Sequence, residues 1–177
     1  MRELILSRKG FSGANDDKIL KTLMSLPEYR KASDVFVYIG VGEEIKTEAI
    51  IDDMLDSGKN VYVPLCFGNG EMTAKKIQSR EELHPGRYGI PEPLDDADEI
   101  DAQELSLIIV PGVAFGRDFS RLGRGGGYYD RFLEKAKNAV FIAPCREQNL
   151  EERLPKDEHD RDVDIIVTEE KVLRKVR

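Results

Sequence analysis

The chain has 177 residues, which suits one domain with a sizeable core, and its formal net charge of −7 argues against general binding to nucleic-acid backbones. Hydrophobic residues make up 40% and charged residues 34% of the chain, a composition typical of a soluble globular protein. Apolar runs stay well short of the roughly 20 residues that cross a bilayer, and the N-terminal MRELILSRKG lacks the apolar core of a signal peptide, so we expect a cytoplasmic protein without membrane contact.

Strands and helices alternate in the first third of the chain. Apolar residues at helical spacing predict a helix over residues 14–25, with Asn15 as the candidate N-cap. A strand is then predicted over 34–40, a helix over 45–57 and a second strand over 60–66. This alternation is typical of a three-layer α/β fold, in which helices flank a mostly parallel, open sheet of the Rossmann-like kind.

The rest of the chain continues this pattern after a long interruption. Residues 67–104 are rich in glycine and proline loop signals, and 92–104 carry seven acids without Lys or Arg, which is typical of a solvated connection. The later predicted elements are strands over 105–110, 139–143 and 163–168, and a helix over Tyr128–Lys137. Because neither a repeat nor a linker is visible, residues 1–177 are predicted to form a single domain.

The most informative stretch is PGVAFGRDFSRLGRGGGYYDR (111–131), which follows a predicted strand. Its glycines let backbone N–H groups approach an anion, its arginines supply forked donors, and an aspartate follows for a metal. The stretch is not a Walker A loop, because no Gly-Lys-[Ser/Thr] follows the glycines. It also fits the dinucleotide fingerprint poorly, because the last glycine of Gly123-x-Gly125-x-Gly127 comes one residue early. The residues therefore indicate a site for magnesium and phosphate, with a plain turn as the alternative.

Four acidic residues are candidates for binding. Asp130 lies where the glycine loop enters a predicted helix, so it could bind Mg²⁺ or simply cap the helix. Asp160 comes shortly before the last predicted strand, where a surface acid is the alternative. Glu43 and Glu44 follow the first predicted strand, and the carboxyl ends of strands are where α/β proteins bind ligands. Solvent-facing acids are the alternative there too.

The remaining reactive side chains do not suggest a covalent nucleophile. Cys66 and Cys145 each end a predicted strand and are expected to be reduced, small apolar core residues. His84 and His159 have no partners at ligand spacing and are expected to be structural or on the surface. The chain also lacks a Gly-x-Ser-x-Gly elbow.

The residues around the glycine loop also carry a family signature. VPGVAF (110–115) and RLGRGGGYYDRFL (121–133) match VPG-x-AF followed by RLG-x-G-x-GYYDRFL. On these highly specific motifs the sequence resembles the 5-formyltetrahydrofolate cyclo-ligase family, also called 5,10-methenyltetrahydrofolate synthetases. Weaker matches, which extend the resemblance over nearly the whole chain, include YIGVGEEIKT (38–47), the Gly-Lys at 58–59, GIPEP (89–93) and residues 148–160.

The resemblance implies a reaction. Members of this family convert 5-formyltetrahydrofolate to 5,10-methenyltetrahydrofolate with ATP and Mg²⁺, and they release ADP and phosphate. Transfer of the γ-phosphoryl group makes the formyl oxygen a leaving group, and N10 of the folate then attacks the activated carbon. Such an enzyme mainly positions two ligands and stabilises spreading charge, without a nucleophile of its own.

The resemblance also implies a role for each matching residue. Arg121 and Arg124 are the expected catalytic residues, and Asp130 and Asp160 are the expected metal ligands. The residues expected to bind ATP are Arg2, Arg121, Leu122, Gly123, Arg124, Gly125, Gly126, Gly127, Tyr128 and Tyr129. Those expected to bind folate are Ile39, Glu44, Arg124, Gly125, Gly126, Gly127 and Tyr128. One of the two tyrosines is expected to fill the core.

The chain departs from the family pattern in three places, one of which is Arg124, a position that often holds an aromatic residue in bacterial members. The basic N-terminal cluster of the family usually begins a few residues earlier, which leaves Arg2 as its counterpart here. Gly116 and Phe119 stand where family members commonly have Asp and Gly, so the loop 116–120 is expected to differ in shape.

Two other functions remain open alternatives. A phosphosugar isomerase or acyl-transferase relative would share the α/β layout and the glycine loop, but it would not need ATP. A folate- or nucleotide-binding protein that has lost catalysis would bind its ligand without turnover. In each case we expect a monomer that binds small molecules.

Overall fold

A computed structural model describes residues 13–176 of the chain. Its α-helices are α1 (Asp16–Ser25), α2 (Pro27–Lys31), α3 (Glu48–Asp56) and α4 (Tyr128–Lys135). Its strands are β1 (Asp34–Val37), β2 (Asn60–Cys66), β3 (Met72–Ile77), β4 (His84–Pro85), β5 (Pro91–Glu92), β6 (Glu99–Ile100), β7 (Leu107–Ile109), β8 (Ala114–Gly116), β9 (Arg121–Leu122), β10 (Val140–Pro144), β11 (Leu150–Glu151), β12 (Ile165–Val167) and β13 (Val172–Arg174). Within residues 13–176, none of the helices is long and apolar enough to cross a membrane.

The main sheet contains eight of these strands, in the order β13-β12-β10-β7-β1-β2-β3-β6. The five strands from β12 to β2 are parallel, and antiparallel strands extend the sheet at both edges. Numbered along the chain, the parallel strands follow the order 2-1-3-4-5 of one common doubly wound sheet. The prediction of an open, mostly parallel α/β sheet is thereby confirmed.

Alternate residues of β1 face opposite sides of this sheet. Val35 and Val37 pack into a first core cluster, which they share with buried residues of α1, α2 and α3. Phe36, between them, packs into a second cluster with Phe132 of α4 and Phe115 of β8. A strand that is buried on both faces needs apolar residues at consecutive positions, and β1 has them. Because helices cover both faces, the predicted three layers are confirmed.

The predicted helices are all present, with ends shifted by up to three residues. Asn15 occupies the N-cap position of α1, but its side chain makes no capping hydrogen bond. Pro27 separates α1 from α2, because it has no backbone N–H to continue the first helix and is well suited to the first position of the second.

Residues 67–104 contain more regular structure than the sequence pattern predicted. β3 pairs antiparallel with β2, and β6 pairs with β3. The prediction that residues 92–104 form only a solvated connection was therefore wrong for Glu99–Ile100, which form β6, and for Ala102, which is buried. The pattern was misleading because two consecutive lysines interrupt the apolar positions of β3 and acidic residues surround β6.

Replacing Phe36 by alanine is expected to destabilise the protein by about 3–5 kcal/mol, because a large buried ring is lost and a cavity remains. The ring is fully buried, and its centroid lies 4.7 Å from that of Phe132 and 6.2 Å from that of Tyr129. Urea unfolding followed by circular dichroism measures the change. Leu94→Ala is the control, because this side chain is 52% exposed and its loss should cost under about 0.5 kcal/mol. Similar losses in the two variants would contradict this assignment of the core.

Candidate functional site

The main sheet has a topological switch point between β1 and β7. The chain continues from β1 to β2 on one side, whereas β7, β10 and β12 follow one another on the other side. In doubly wound sheets, ligands bind in the crevice outside the carboxyl ends of the strands at such a point. Residues 38–47 follow β1 and residues 110–127 follow β7, and these two loops contain most of the predicted site residues.

The loop after β7 folds into a small hairpin before it reaches the glycines. β8 and β9 pair antiparallel, and Phe119 lies in the turn between them with a φ of 69°. This left-handed conformation suits glycine, the residue common here in the family, but it strains a bulky residue. The Phe119 side chain packs against the second core cluster, which offsets the strain. Gly116 fits the same turn because the side chains of Asp118 and Ser120 occupy the space that a Cβ would need.

Arg121 lies under the glycine loop rather than on its surface. Its side chain is only 4% exposed, its Nη1 donates to the carbonyl of Pro111 at 3.0 Å, and its Nη2 lies 3.3 Å from Oδ1 of Asp130. The guanidinium carbon is 5.7 Å from the ring centre of Tyr129. Buried charges are stable only when they are paired and hydrogen-bonded, so Arg121 fixes the end of β7 to the first turn of α4. Its Nε is buried without a hydrogen-bond partner among the described residues.

The glycine loop presents backbone rather than side chains to the crevice. Gly125 and Gly127 have φ values of 103° and 73°, which side chains would disfavour, and Gly127 is the N-cap of α4. Backbone N–H groups at a helix N-terminus form a favourable place for phosphate. Leu122, by contrast, is buried at 4% exposure, so its side chain belongs to the hairpin core. Arg2 lies outside the described residues.

The loop after β1 is braced from inside by buried hydrogen bonds. Thr47 is 1% exposed, and its hydroxyl donates to the carbonyl of Tyr38 at 2.6 Å and accepts from the amide of Gly40 at 3.2 Å. The Tyr38 hydroxyl donates in turn to the carbonyl of Ile45 at 3.0 Å. Removing one partner of a buried hydrogen bond is costly, so these bonds give the loop a defined shape.

Glu44 and Arg124 meet across the crevice. The Val41 amide donates to Oε1 of Glu44 at 3.0 Å, and the Glu44 amide donates to the Val41 carbonyl at 3.1 Å, which closes a tight turn. The other carboxylate oxygen, Oε2, lies 3.9 Å from Nη2 of Arg124, whose side chain is 61% exposed. Ile39 is half-buried beside this turn and packs against the first core cluster. The predicted folate residues on the two loops are therefore neighbours.

The two tyrosines after the glycines have different surroundings. Tyr129 packs against both core clusters, and burial raises the pKa of its hydroxyl well above its usual value. Tyr128 instead points to the edge of the crevice, where its hydroxyl donates to the Phe67 carbonyl at 2.8 Å and lies 3.3 Å from the hydroxyl of Tyr88. The expectation that one tyrosine fills the core is confirmed for Tyr129. Tyr88 and Phe67 are exposed aromatic neighbours that the sequence analysis missed, because they lie in a segment interpreted as loop.

Asp130 and Asp160 belong to segments that touch. Oδ1 of Asp130 accepts from the backbone amide of Arg161 at 3.3 Å and pairs with Arg121, while Oδ2 of Asp160 accepts from the amide of Asp157 at 2.9 Å. Each carboxylate thus has a second oxygen without a hydrogen bond to the described residues. Those residues contain no group of three or more His, Cys, Asp or Glu arranged to hold a metal by themselves. Two acids suit Mg²⁺, which takes its other ligands from water and substrate phosphates.

Arg146 is a further residue at this edge that the sequence analysis missed. It follows β10, and its guanidinium makes a two-pronged contact with Asp16, at 3.0 Å from Nε to Oδ1 and 2.9 Å from Nη2 to Oδ2. Its Nη1 donates to the carbonyl of Glu43 at 2.8 Å. The only signal for Arg146 in the sequence was its position shortly after a buried strand, and this position did not identify Asp16 and Glu43 as its partners.

The histidines and cysteines are poorly placed to act as nucleophiles or metal ligands. Nε2 of His84 lies 3.1 Å from the carbonyl of Pro93, and His159 is exposed. Burial and the nearby Glu92 raise the pKa of the half-buried Cys66 thiol to about 11, and burial also raises the pKa of Cys145. Both cysteines are free thiols, as predicted.

The fold and crevice define a doubly wound α/β protein with a glycine-rich loop at its switch point, a type of loop that is suited to phosphate. The chain belongs to the 5-formyltetrahydrofolate cyclo-ligase family, whose model matches residues 2–169. A probable 5-formyltetrahydrofolate cyclo-ligase of Schizosaccharomyces pombe is 36% identical over 174 residues, which cover 89% of this chain and 85% of that protein. The 5-formyltetrahydrofolate cyclo-ligase of Escherichia coli K12 is 33% identical over 158 residues, 85% of each chain.

A solved structure agrees with these sequence relationships. The NMR structure of the 5,10-methenyltetrahydrofolate synthetase of Aquifex aeolicus superimposes with a TM-score of 0.81 at 33% identity, and covers 92% of this chain and 83% of that one. Because it covers 92% of this chain, the likeness is not confined to the glycine motif.

Cys66 is expected to react slowly with iodoacetamide at pH 7.5, because its raised pKa of about 11 leaves little thiolate. The rate should be on the order of a hundredfold below that of the unfolded chain and should increase with pH up to that pKa. Mass spectrometry of the modified peptide, with Cys66→Ser to identify the signal, measures it. Rapid labelling of the folded protein at neutral pH would contradict this.

Proposed function

We propose that the protein is a 5-formyltetrahydrofolate cyclo-ligase that uses ATP and Mg²⁺ to form 5,10-methenyltetrahydrofolate, ADP and phosphate. The observation that carries the proposal is the meeting of the glycine loop and the 41–44 turn at the switch point, in a chain that the family model matches over residues 2–169. The relatives named above carry this activity in their names. We further propose that the protein acts as a monomer, since one chain supplies both sides of the crevice. We also propose a cytoplasmic location.

The proposed ATP site is the segment Arg121–Tyr129 together with Arg2. Its support is the exposed glycine backbone before α4, where N–H groups and the helix N-terminus attract phosphate. Arg124 adds a mobile, exposed positive charge to the same place. Arg121 contributes differently from the sequence expectation, because its buried guanidinium supports the loop and holds Asp130.

The proposed folate site lies on the other side of the same crevice. Ile39 and Glu44 supply one wall, and the stretch from Arg124 to Tyr128 supplies the other. Glu44 offers a carboxylate oxygen that faces the crevice, which suits the N–H groups on the polar edge of a pterin ring. Tyr128 offers an aromatic face at the rim.

Asp130 and Asp160 are the proposed ligands of Mg²⁺. In each carboxylate one oxygen accepts a hydrogen bond from the protein, and the other has no hydrogen bond to the described residues and can bind a metal. Two such oxygens suit a Mg²⁺ ion that takes its other ligands from water and substrate phosphates. When bound, the ion would neutralise charge on the phosphates. Arg121 holds Oδ1 of Asp130 in place, which orients the carboxylate for this role.

The residues fit a mechanism in which the two substrates react with each other. The formyl oxygen attacks the γ-phosphorus and ADP leaves, while Arg124 and the glycine-loop amides stabilise the spreading negative charge. N10 then attacks the activated carbon, loses its proton, and phosphate departs with the former formyl oxygen. The protein's contribution is to hold the oxygen and the phosphorus in line and to exclude water from the crevice. The raised pKa of Cys66 agrees with a mechanism that uses no thiolate.

The activity test is an absorbance assay, since the methenyl product has a near-ultraviolet chromophore that the substrate lacks. We expect the band to grow only when 5-formyltetrahydrofolate, ATP and Mg²⁺ are all present. Arg124→Gln should lower kcat on the order of a hundredfold through lost charge stabilisation. Asp130→Asn should increase the Mg²⁺ concentration needed for half-maximal rate.

The matched control is Lys135→Gln, which removes an exposed charge from the same helix as Asp130 and should leave both quantities unchanged. If the absorbance does not increase although folate still binds, the result would favour a binding protein without turnover. Turnover of a phosphosugar or acyl donor without ATP would favour the other alternative, and either result would overturn the proposal.

Glu44→Gln is expected to weaken 5-formyltetrahydrofolate binding about tenfold, since a charge-assisted hydrogen bond becomes a neutral one. ATP affinity should change by less than about twofold because the residue lies on the folate side. Isothermal titration with each ligand separately gives both dissociation constants. Equal losses of affinity for both ligands would contradict the assignment.

A further inference from the structure

The turn that carries Glu44 is closed by its own hydrogen bonds. The Val41 amide and carbonyl both bond to Glu44, so residues 41–44 form a closed unit. Gly42 lies at its tip, exposed and with a φ of 59°, and its carbonyl accepts a hydrogen bond at 2.8 Å from Nζ of the exposed Lys46, a neighbour in the same loop. The buried Thr47 bonds fix the base of the loop rather than this tip. A closed turn can still tilt as a whole, so the position of the Glu44 carboxylate depends on what holds the tip.

Arg146 holds it from outside. Its Nη1 donates to the Glu43 carbonyl at 2.8 Å, on the residue directly before Glu44. Its other two contacts go to the two oxygens of Asp16, and the two side chains are only 12% and 17% exposed. Two-pronged arginine–carboxylate contacts are directional as well as strong, so the guanidinium plane has little freedom to swing.

The far end of this connection is rigid. Asp16 lies in the first turn of α1, whose Ile19 and Leu23 are completely buried in the first core cluster. Arg146 itself follows β10, a central strand of the sheet. The Glu44 turn is therefore fastened to two core elements through one guanidinium.

We propose that Arg146 is a positioning residue for folate: through the Glu43 carbonyl it sets the distance of the Glu44 carboxylate from the bound pterin edge. This inference rests on the proposed role of Glu44. The chemistry requires Arg rather than Lys, because one planar group must satisfy Asp16 with two donors and the Glu43 carbonyl with a third. ATP, on the glycine-loop side of the crevice, does not depend on this contact.

A double-mutant cycle tests the proposal. Arg146→Gln is expected to raise the dissociation constant for 5-formyltetrahydrofolate about tenfold and to leave that for ATP within about twofold. The KM for folate should increase accordingly, with kcat changed less. In a Glu44→Gln background the same Arg146→Gln substitution should weaken folate by less than about twofold, because the carboxylate that it positions is already gone.

Loss of Arg146 leaves Asp16 as an unpaired, nearly buried charge, so a second variant separates folding from binding. Asp16→Asn combined with Arg146→Gln removes that charge and should still weaken folate about tenfold, because the Glu43 contact is still missing. Arg80→Gln is the matched control, since it breaks an equally two-pronged pair with Asp52 at an exposed place remote from the crevice. It should change neither dissociation constant.

The outcomes separate the two proposals. If Glu44→Gln leaves folate affinity unchanged, the proposed folate role of Glu44 fails and the positioning role falls with it. If Glu44→Gln weakens folate but Arg146→Gln weakens it equally in both backgrounds, the role of Glu44 stands and the positioning inference is overturned. If Arg146→Gln lowers the melting temperature but leaves the affinities for folate and ATP unchanged, the role of Arg146 is structural and the positioning inference is likewise overturned.

Discussion

The arrangement of the candidate site depends on one buried guanidinium, because Arg121 can satisfy its charge only by joining β9 to the end of β7 and to the first turn of α4. The Pro111 carbonyl, the Asp130 carboxylate and the Tyr129 ring surround it. A cation removed from water is stable only with such partners, so alternative conformations of the loop are costly. Both ends of the glycine segment are therefore fixed, while the glycines between them remain exposed and able to follow the shape of a ligand.

The residues that face each other across the crevice, Arg124 and Glu44, are less firmly held than the buried Arg121. Arg124 reaches Glu44 at 3.9 Å, and its side chain is largely exposed. An ion pair of this kind contributes little to stability in water, so substrate groups can replace it at small cost. If the proposed function holds, Arg121 and Arg146 position the loops from behind, and Arg124 and Glu44 in front can rearrange around the ligands.

The sequence was sufficient for those features whose physical cause is local. Consecutive apolar residues predicted the buried parallel strands, and the glycine motif was correctly expected to lead into a helix, α4. Features that depend on distant partners were not visible. β3 was hidden because its lysines break the apolar alternation, and Lys75 is instead paired with Glu99 from β6. Arg121 was predicted to bind ATP and to act in catalysis, and nothing in the sequence indicated that its guanidinium is buried against Pro111 and Asp130. The Arg146–Asp16 pair joins residues 130 positions apart, a distance over which spacing carries no information.

The acidic run that forms β6 has a consequence for the protein in concentrated solution. An open sheet has two edges, and an unpaired edge is a template on which another molecule can add a strand. Here one edge strand is only two residues long and lies within a stretch that carries seven acids and no basic residue. A second copy that approached this edge would bring like charges together, so repulsion between the acidic runs disfavours aggregation by strand addition.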